Sequence, residues 1–219
     1  MSEMTDAAST SEPIDVRLAL RDAIVGGRYV PRQRLIEADL AVEFGASRFA
    51  LRNALIALAA EGLVELQPNR GARVREISLA EAVEITEVRR AVESLVAARA
   101  AENVTTAAAA RLREIGDGMR AAVETGELLR YSELNAALHA ALRELAAHTT
   151  ATAMLENLRG QVVRHQFRLS LVAGRPAVSL PEHLAIIDAV CAGDADAAAV
   201  AMSAHVGSVI GALRESARG

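Results

Sequence analysis

The sequence contains no lysine, so all 24 of its basic side chains are arginine, a bias from which no functional conclusion is drawn. Tryptophan is absent too, and aromatic residues make up 2% of the 219 positions while apolar residues make up 52%. A core with so few rings must be assembled from Ala, Leu, Val and Ile, which suits close-packed helices better than a β-sandwich. A single cysteine, Cys191, excludes an internal disulfide, so folding does not depend on an oxidising compartment. Its setting, AVCAG, reads as a small buried side chain rather than a nucleophile. No apolar run approaches the roughly 20 residues that span a bilayer. The opening MSEMTDAASTSEP is polar and acidic, without the charged start and apolar stretch of a signal peptide. The expectation is a soluble, cytoplasmic protein with no membrane partner.

What is present is unevenly distributed. The net charge of −4 conceals 10 Arg against 7 acids over residues 14–75, and 14 Arg against 18 acids over residues 76–219. The cationic part therefore lies near the N-terminus, where a polyanion would bind. Residues 1–13 offer nothing to bury and read as a disordered tail. From Ile14 the apolar residues Val16, Leu20, Ile24 and Val25 recur at helical spacing until Gly26 and Gly27. Pro31 marks a turn, and a short helix is predicted from Ile36 to Phe44, ended by Gly45. Ser47 can cap the next, whose apolar face is Leu51, Leu55, Leu58 and Ala59 and which closes at Gly62. LVELQ at 63–67 and ARVRE at 72–76 then alternate in period two around PNRG, the pattern of a β-hairpin.

Three helices and a two-stranded ribbon outline a winged helix-turn-helix over residues 14–76. Beyond it the pattern is helical throughout, so the fold class predicted is mainly α, with an all-α helical-bundle domain over residues 77–216. Ser78 with Glu81 three residues on is a capping box for a long helix reaching Asn103. Further helices are predicted at 105–125, 127–147 and 151–172. AGRPAVSLP reads as a linker, followed by helices at 181–192 and 194–216.

In a helix-turn-helix the second helix enters the major groove and its N-terminal residues meet base edges. Ser47, Arg48 and Arg52 occupy that position here. Arg48 and Arg52 lie i, i+4 on one face, where each can pair with guanine or clamp a phosphate. Arg70 and Gly71 at the hairpin tip suit the flanking minor groove, and Arg34 completes the candidate set for double-stranded operator DNA. A lone Arg on a helix is an ordinary solvated residue; the order helix, turn, Arg-bearing helix and basic wing argues for DNA.

That order carries a resemblance. LRDAIVGGRYVP, then RLIEADLAVEFGASRFALRNALIALAAEGLVELQPNRGARV, resembles the winged-helix domain of GntR-family bacterial transcription regulators. The remainder is similar to the FadR branch with its all-helical FCD effector domain, the likeness covering residues 14–213. The family usually has Gly where this chain has Arg32. It commonly reads Ser-Arg-Thr-Pro-Val-Arg-Glu where this chain reads Ser47-Arg48-Phe49-Ala50-Leu51-Arg52-Asn53, so Phe49 has no hydroxyl to offer a phosphate.

In the C-terminal half, LNAALHAAL places Asn135 and His139 one helical turn apart on an otherwise apolar stretch. Either they are surface residues at chance spacing or they face one thing together. His183 and His205 lie on two later helices among small apolar residues, and spacing alone leaves open whether the three imidazoles meet. The resemblance implies that they do. FCD domains often carry Asp or Asn, His four residues on, and one His on each of two later helices, which fall on Asn135, His139, His183 and His205. It thereby implies a divalent metal, zinc by ligand type, with nickel or manganese also accepting such a site. Asn135 stands where Asp is commoner, and an amide oxygen is the poorer ligand.

The resemblance also places Arg89 of ITEVRRAVES toward the pocket, although an i, i+4 surface pair with Glu93 would explain it as well. A cation opposite a metal would grip a small carboxylate effector, with Arg164 as a further effector candidate and Arg168 beside it. The function expected is a homodimeric regulator, not an enzyme, whose DNA affinity follows an organic acid. A sensor with the ion itself as effector and, less favoured, a His-site metalloenzyme are the alternatives.

Overall fold

The computed structural model describes residues 15–67, 70–170, 172 and 174–216, so the predicted tail and Pro68 and Asn69 of the hairpin tip lie outside the described residues. The chain divides into two compact units, Met1–Glu76 and Ile77–Gly219.

The first unit contains α1 (Val16–Val25), β1 (Arg34–Leu35), α2 (Glu37–Glu43), α3 (Arg48–Ala60), β2 (Val64–Gln67) and β3 (Gly71–Val74). Helices α1 and α3 start where side chains replace missing backbone partners. Asp15 accepts from the amides of Arg17 and Leu18, and Ser47 Oγ accepts from Ala50 N at 3.1 Å. Leu20, Leu51, Leu55 and Leu58, all essentially inaccessible, tie α1 to α3. Burying such a side chain contributes roughly 1.5–3 kcal/mol relative to leaving it exposed.

The ribbon has a third strand that the sequence did not suggest. β1 pairs antiparallel with β3 through Arg34↔Arg73 and Leu35↔Ala72, giving the order β1-β3-β2. Two residues are too few to show a period, and Pro31 masks the approach.

The same segment explains the departure at Arg32. Its φ is 65°, in the left-handed region, with its amide donating to Val74 O at 2.9 Å. A side chain there costs about 1–2 kcal/mol, of which glycine's extra unfolded-state freedom would take back about 0.5–1 kcal/mol. Arg32→Gly, even after losing its exposed pair with Glu76, is expected to raise the unfolding midpoint of this unit by the equivalent of about 0.5 kcal/mol. Urea titration followed by circular dichroism measures it; a lowered midpoint would contradict the account of the backbone.

The second unit contains α4 (Leu79–Glu102), α5 (Thr106–Thr125), α6 (Leu128–Ala146), α7 (Thr149–Ser170), α8 (Arg175–Cys191) and α9 (Ala195–Glu215). Ser78 Oγ caps α4 through Glu81 N at 3.1 Å. Helix α4 is central, with α6, α7, α8 and α9 all against it. Small residues permit this: Ala82, Ala97, Ala100 and Ala101 are buried along its length. Midway, the inward strip changes character, and Thr86, Arg89 and Glu93 are buried in place of alanines. That polar interruption is where the bundle opens into a cavity.

Two expectations are corrected. AGRPAVSLP is not a linker, because α8 starts at Arg175 and takes in most of it. Pro176 lies in the first turn, where a missing N–H costs nothing. Pro181 lies inside the helix and leaves the Ala177 carbonyl without its usual donor. Helix α9 is, by length and apolar composition alone, sufficient to cross a membrane, contrary to the reading of short apolar runs. Alanine and valine produce this, Val200 being 70% exposed, while Met202, His205, Val206 and Ile210 face inward.

Candidate functional site

Three imidazoles meet in the cavity of the second unit. His139 comes from α6, His183 from α8 and His205 from α9, all buried, with one ligand nitrogen of each within 4.8 Å of the others. Ring centroids stand 4.3 Å apart for His183 and His205, 5.7 Å for His139 and His205, and 6.0 Å for His139 and His183. Each ring turns its Nδ1 toward a polar group behind it, by hydrogen bond for His183 and His205 and by ionic contact alone for His139. His139 Nδ1 faces Glu93 Oε2 at 3.0 Å, His205 Nδ1 meets Glu182 Oε2 at 2.9 Å, and His183 Nδ1 meets the Tyr131 hydroxyl at 2.9 Å. With Nδ1 carrying the proton and directing it backward, the Nε2 lone pair of each ring is left for the cavity, the arrangement by which outer partners orient the rings at metal sites.

The titration properties suit that role. Burial pulls His139 down to about 4 against the pull of Glu93, and burial also puts His183 well below its ordinary value. Both are neutral near pH 7, as a metal ligand must be. Burial works to raise Glu93, but Arg89, His139 and Arg159 outweigh it and hold the carboxyl well below the usual carboxylate range. His183 Nε2 and Asn135 Oδ1 are buried without a hydrogen-bond partner among the described residues, and both residues line the cavity. Two orphaned atoms beside two further imidazoles form a donor set that fits a divalent cation, with no carboxylate among the four.

The cavity is small, about 100 Å³, and Arg89 lines it. Arg89 donates through Nε to Glu93 Oε1 at 3.0 Å, and through Nη2 to the same oxygen. It is therefore both a pocket residue and half of an i, i+4 pair, buried rather than on the surface. Arg164 is not brought into the lining, and Arg168 is exposed. At about 100° per residue, the buried face of α7 is Leu155, Val162 and Leu169, and Arg164 sits half a turn from Leu155. Arg159 and Gln166 share that face and line the cavity, as does Arg175 of α8. Sequence reasoning missed both arginines. The helical period of α7 contained Arg159, but only once its inward face was known.

The remaining histidines are satisfied elsewhere: His148 Nδ1 accepts from Ala151 N at the start of α7, and His165 Nε2 meets Ile77 O at 2.8 Å. Cys191 is half-buried, with burial pushing its thiol up, away from reactive thiolate.

In the first unit, Arg34, Arg48, Arg52, Arg70 and Gly71 line one open surface groove between α3 and the wing. Ser47, just before α3, has its hydroxyl committed to the cap. Arg48 is exposed and Phe49 is 75% exposed beside it. Arg52 makes a two-pronged pair with Glu37 of α2, Nε to Oε1 at 3.2 Å and Nη2 to Oε2 at 2.9 Å. Glu37 was not foreseen; its carboxylate takes up both prongs of the Arg52 fork. Arg34 Nε donates to Arg70 O at 3.3 Å, an exposed tie between β1 and the wing. Gly71 has φ 82°, and a Cβ there would fall within the radius of the Leu35 carbonyl oxygen. The close approach that demands glycine is thus to the protein's own β1.

Comparison with known proteins agrees with this division. Residues 15–74 match the family described as bacterial regulatory proteins, gntR family, and residues 84–208 match the FCD domain. The HTH-type transcriptional repressor RspR of Escherichia coli is 31% identical over 207 residues, covering 94% of this chain and 91% of its own. Among solved structures, E. coli McbR/YncC superposes with a TM-score of 0.74 at 22% identity, over 92% of this chain and 96% of that one. A putative GntR regulator from Rhodococcus sp. RHA1 gives 0.68 at 24% identity, over 91% and 96%. At such identities the likeness of structures speaks for the fold alone.

Proposed function

The chain belongs to the GntR family of bacterial DNA-binding transcription regulators, in the branch with an FCD domain, and from that premise we propose that a small carboxylate held at a divalent metal in the helical unit sets its affinity for operator DNA. The observation that carries this reading is the convergence of His139, His183 and His205, each with its Nδ1 turned to a polar group behind it, beside the unpartnered Asn135 Oδ1. These four residues would hold the ion. Zinc is the first choice for three imidazoles, with nickel or manganese acceptable. The ion supplies a docking point for one carboxylate oxygen, while Arg89, kept in place by Glu93, offers positive charge on the cavity wall.

The DNA-reading surface would be the groove of Arg34, Arg48, Arg52, Arg70 and Gly71, with Ser47 fixing the start of α3. A homodimer would present two such surfaces to half-sites about one helical turn apart. Exposed apolar residues on the second unit, Val88 and Leu95 of α4 and Val200 of α9, support a covered face. Such a regulator works in the cytoplasm, where the chromosome is. The acid alters operator affinity only as far as it prefers one arrangement of the dimer over another.

The experiment joins metal content to DNA affinity. Elemental analysis should find about one ion per chain in the wild type and none in His183→Ala, whose ring carries the orphaned Nε2. Gel-shift titration against the DNA upstream of its own gene should give a specific, salt-sensitive band that chelator and candidate acids displace in wild type but not in His183→Ala. Equal metal in both proteins would remove His183 from the site. A band that moves with chelator but with no acid would make the ion itself the effector.

A further inference from the structure

The cavity of the helical unit carries more positive charge than its visible partners balance. Three guanidinium groups line it, those of Arg89, Arg159 and Arg175. Two carboxylates answer them. Glu93 accepts from Arg89 and faces His139, while Glu182 meets His205. Glu182 also stands 3.8 Å from Arg175 Nη2, too far for a hydrogen bond. As a result, Arg159 Nη1 and Arg175 Nη2 are buried donors without an acceptor. Burying charged donors without acceptors is costly, and such groups call for a reason. Burial already pulls Arg159 down to about 10.

The metal corner adds to the imbalance. Three imidazoles and the Asn135 amide are neutral ligands, so none of a dication's charge is cancelled by them. An acid with one carboxylate would spend its charge there and leave both guanidinium groups as they are. Space is limited as well: the cavity measures about 100 Å³, against about 150 Å³ for an engineered cavity that takes up benzene, which favours a short acid over a long one.

We propose that the ligand of this cavity is a short dicarboxylate, one carboxylate directed to the metal corner and the other received by Arg159 Nη1 and Arg175 Nη2. One free nitrogen from each of two arginines suits the two oxygens of a planar group. The inference deepens the functional reading above and rests on it. Its new content is the second anionic group and the residues that take it.

The test uses the full-length protein loaded with zinc and three acids, malonate, succinate and glutarate. Each is compared with the monocarboxylate in which a methyl group replaces one carboxylate. Isothermal titration should show the best dicarboxylate binding at least about tenfold tighter than its partner, the size expected for one charge-assisted bond. Arg159→Met should abolish that gap while leaving monocarboxylate affinity and zinc content unchanged. Because the Arg159 charge also helps hold Glu93 ionised, some loss of melting temperature is expected, and zinc content equal to the wild type's shows that the variant keeps its fold. Arg159→Lys, which keeps the charge, should retain part of the preference. Equal affinity for the paired acids, or a gap that survives Arg159→Met, overturns the inference while the metal-carboxylate reading stands. If no acid of either kind binds in a chelator-sensitive way, that reading falls and takes this one with it.

Discussion

Glu93→Ala is expected to destabilise the helical unit by about 3–5 kcal/mol, the cost of stranding a buried charge. One carboxylate serves two neighbours: Oε1 accepts from Arg89, and Oε2 faces His139 Nδ1 at 3.0 Å. The side chains of Arg89 and Glu93 are 6% and 3% exposed, so water cannot take over when the carboxylate is removed. For a unit of this size each kcal/mol moves the melting temperature by roughly 2–4 °C, which predicts a drop of about 10 °C. Replacing both partners, Arg89→Met with Glu93→Leu, should recover most of the loss, because the pair's own desolvation vanishes with it. Calorimetry on the three proteins decides. A single variant melting within a degree or two of the wild type would mean that the pair is not buried as described.

Gly71→Ala should be the most damaging single-atom addition to the first unit. The left-handed φ of 82° costs an alanine about 1–2 kcal/mol. The added Cβ meets the Leu35 carbonyl, backbone that cannot rotate away, so β1 must leave β3 and its ladder bonds, at about 1 kcal/mol each, go too. A total near 3 kcal/mol is expected from these parts, read as a lowered urea midpoint without DNA present. Arg70→Ala, one residue away and exposed, should leave that midpoint unchanged and weaken operator binding instead. If Gly71→Ala were as stable as the wild type and defective only on DNA, the glycine would be answering to the nucleic acid and not to β1.

The fold was legible wherever a local rule sufficed. Ser47 and Ser78 begin helices because each hydroxyl can reach an amide three residues on, and a sequence shows that directly. The change from period two to period 3.6 near Ile77 is equally local. β1 was not legible, since a two-residue strand exists only through its partner. Nor was the first part of α8, where two prolines argued for a linker and tertiary packing prevailed. At the site, the four candidate ligands came from a family likeness, for spacing could not say which helices touch. The groups behind the rings, Glu93, Tyr131 and Glu182, each lie on a different helix from the ring they face, and no motif announces them. Arg164 and Arg159 illustrate the limit best. Both are on α7, five residues apart, and only the inward direction of that helix tells them apart.

Each unit encloses an apolar centre of its own, one around Leu51 and Leu55, the other around Leu138 and Met202. A denaturation curve recorded on the entire chain is therefore a composite, and a single fitted midpoint averages two events. The penalty of a substitution has to be assigned to the transition of the unit that bears it: the earlier or later step for Gly71, the other for Glu93. A binding partner that shifts one step and not the other thereby reports which half it touches, before any contact with it is mapped.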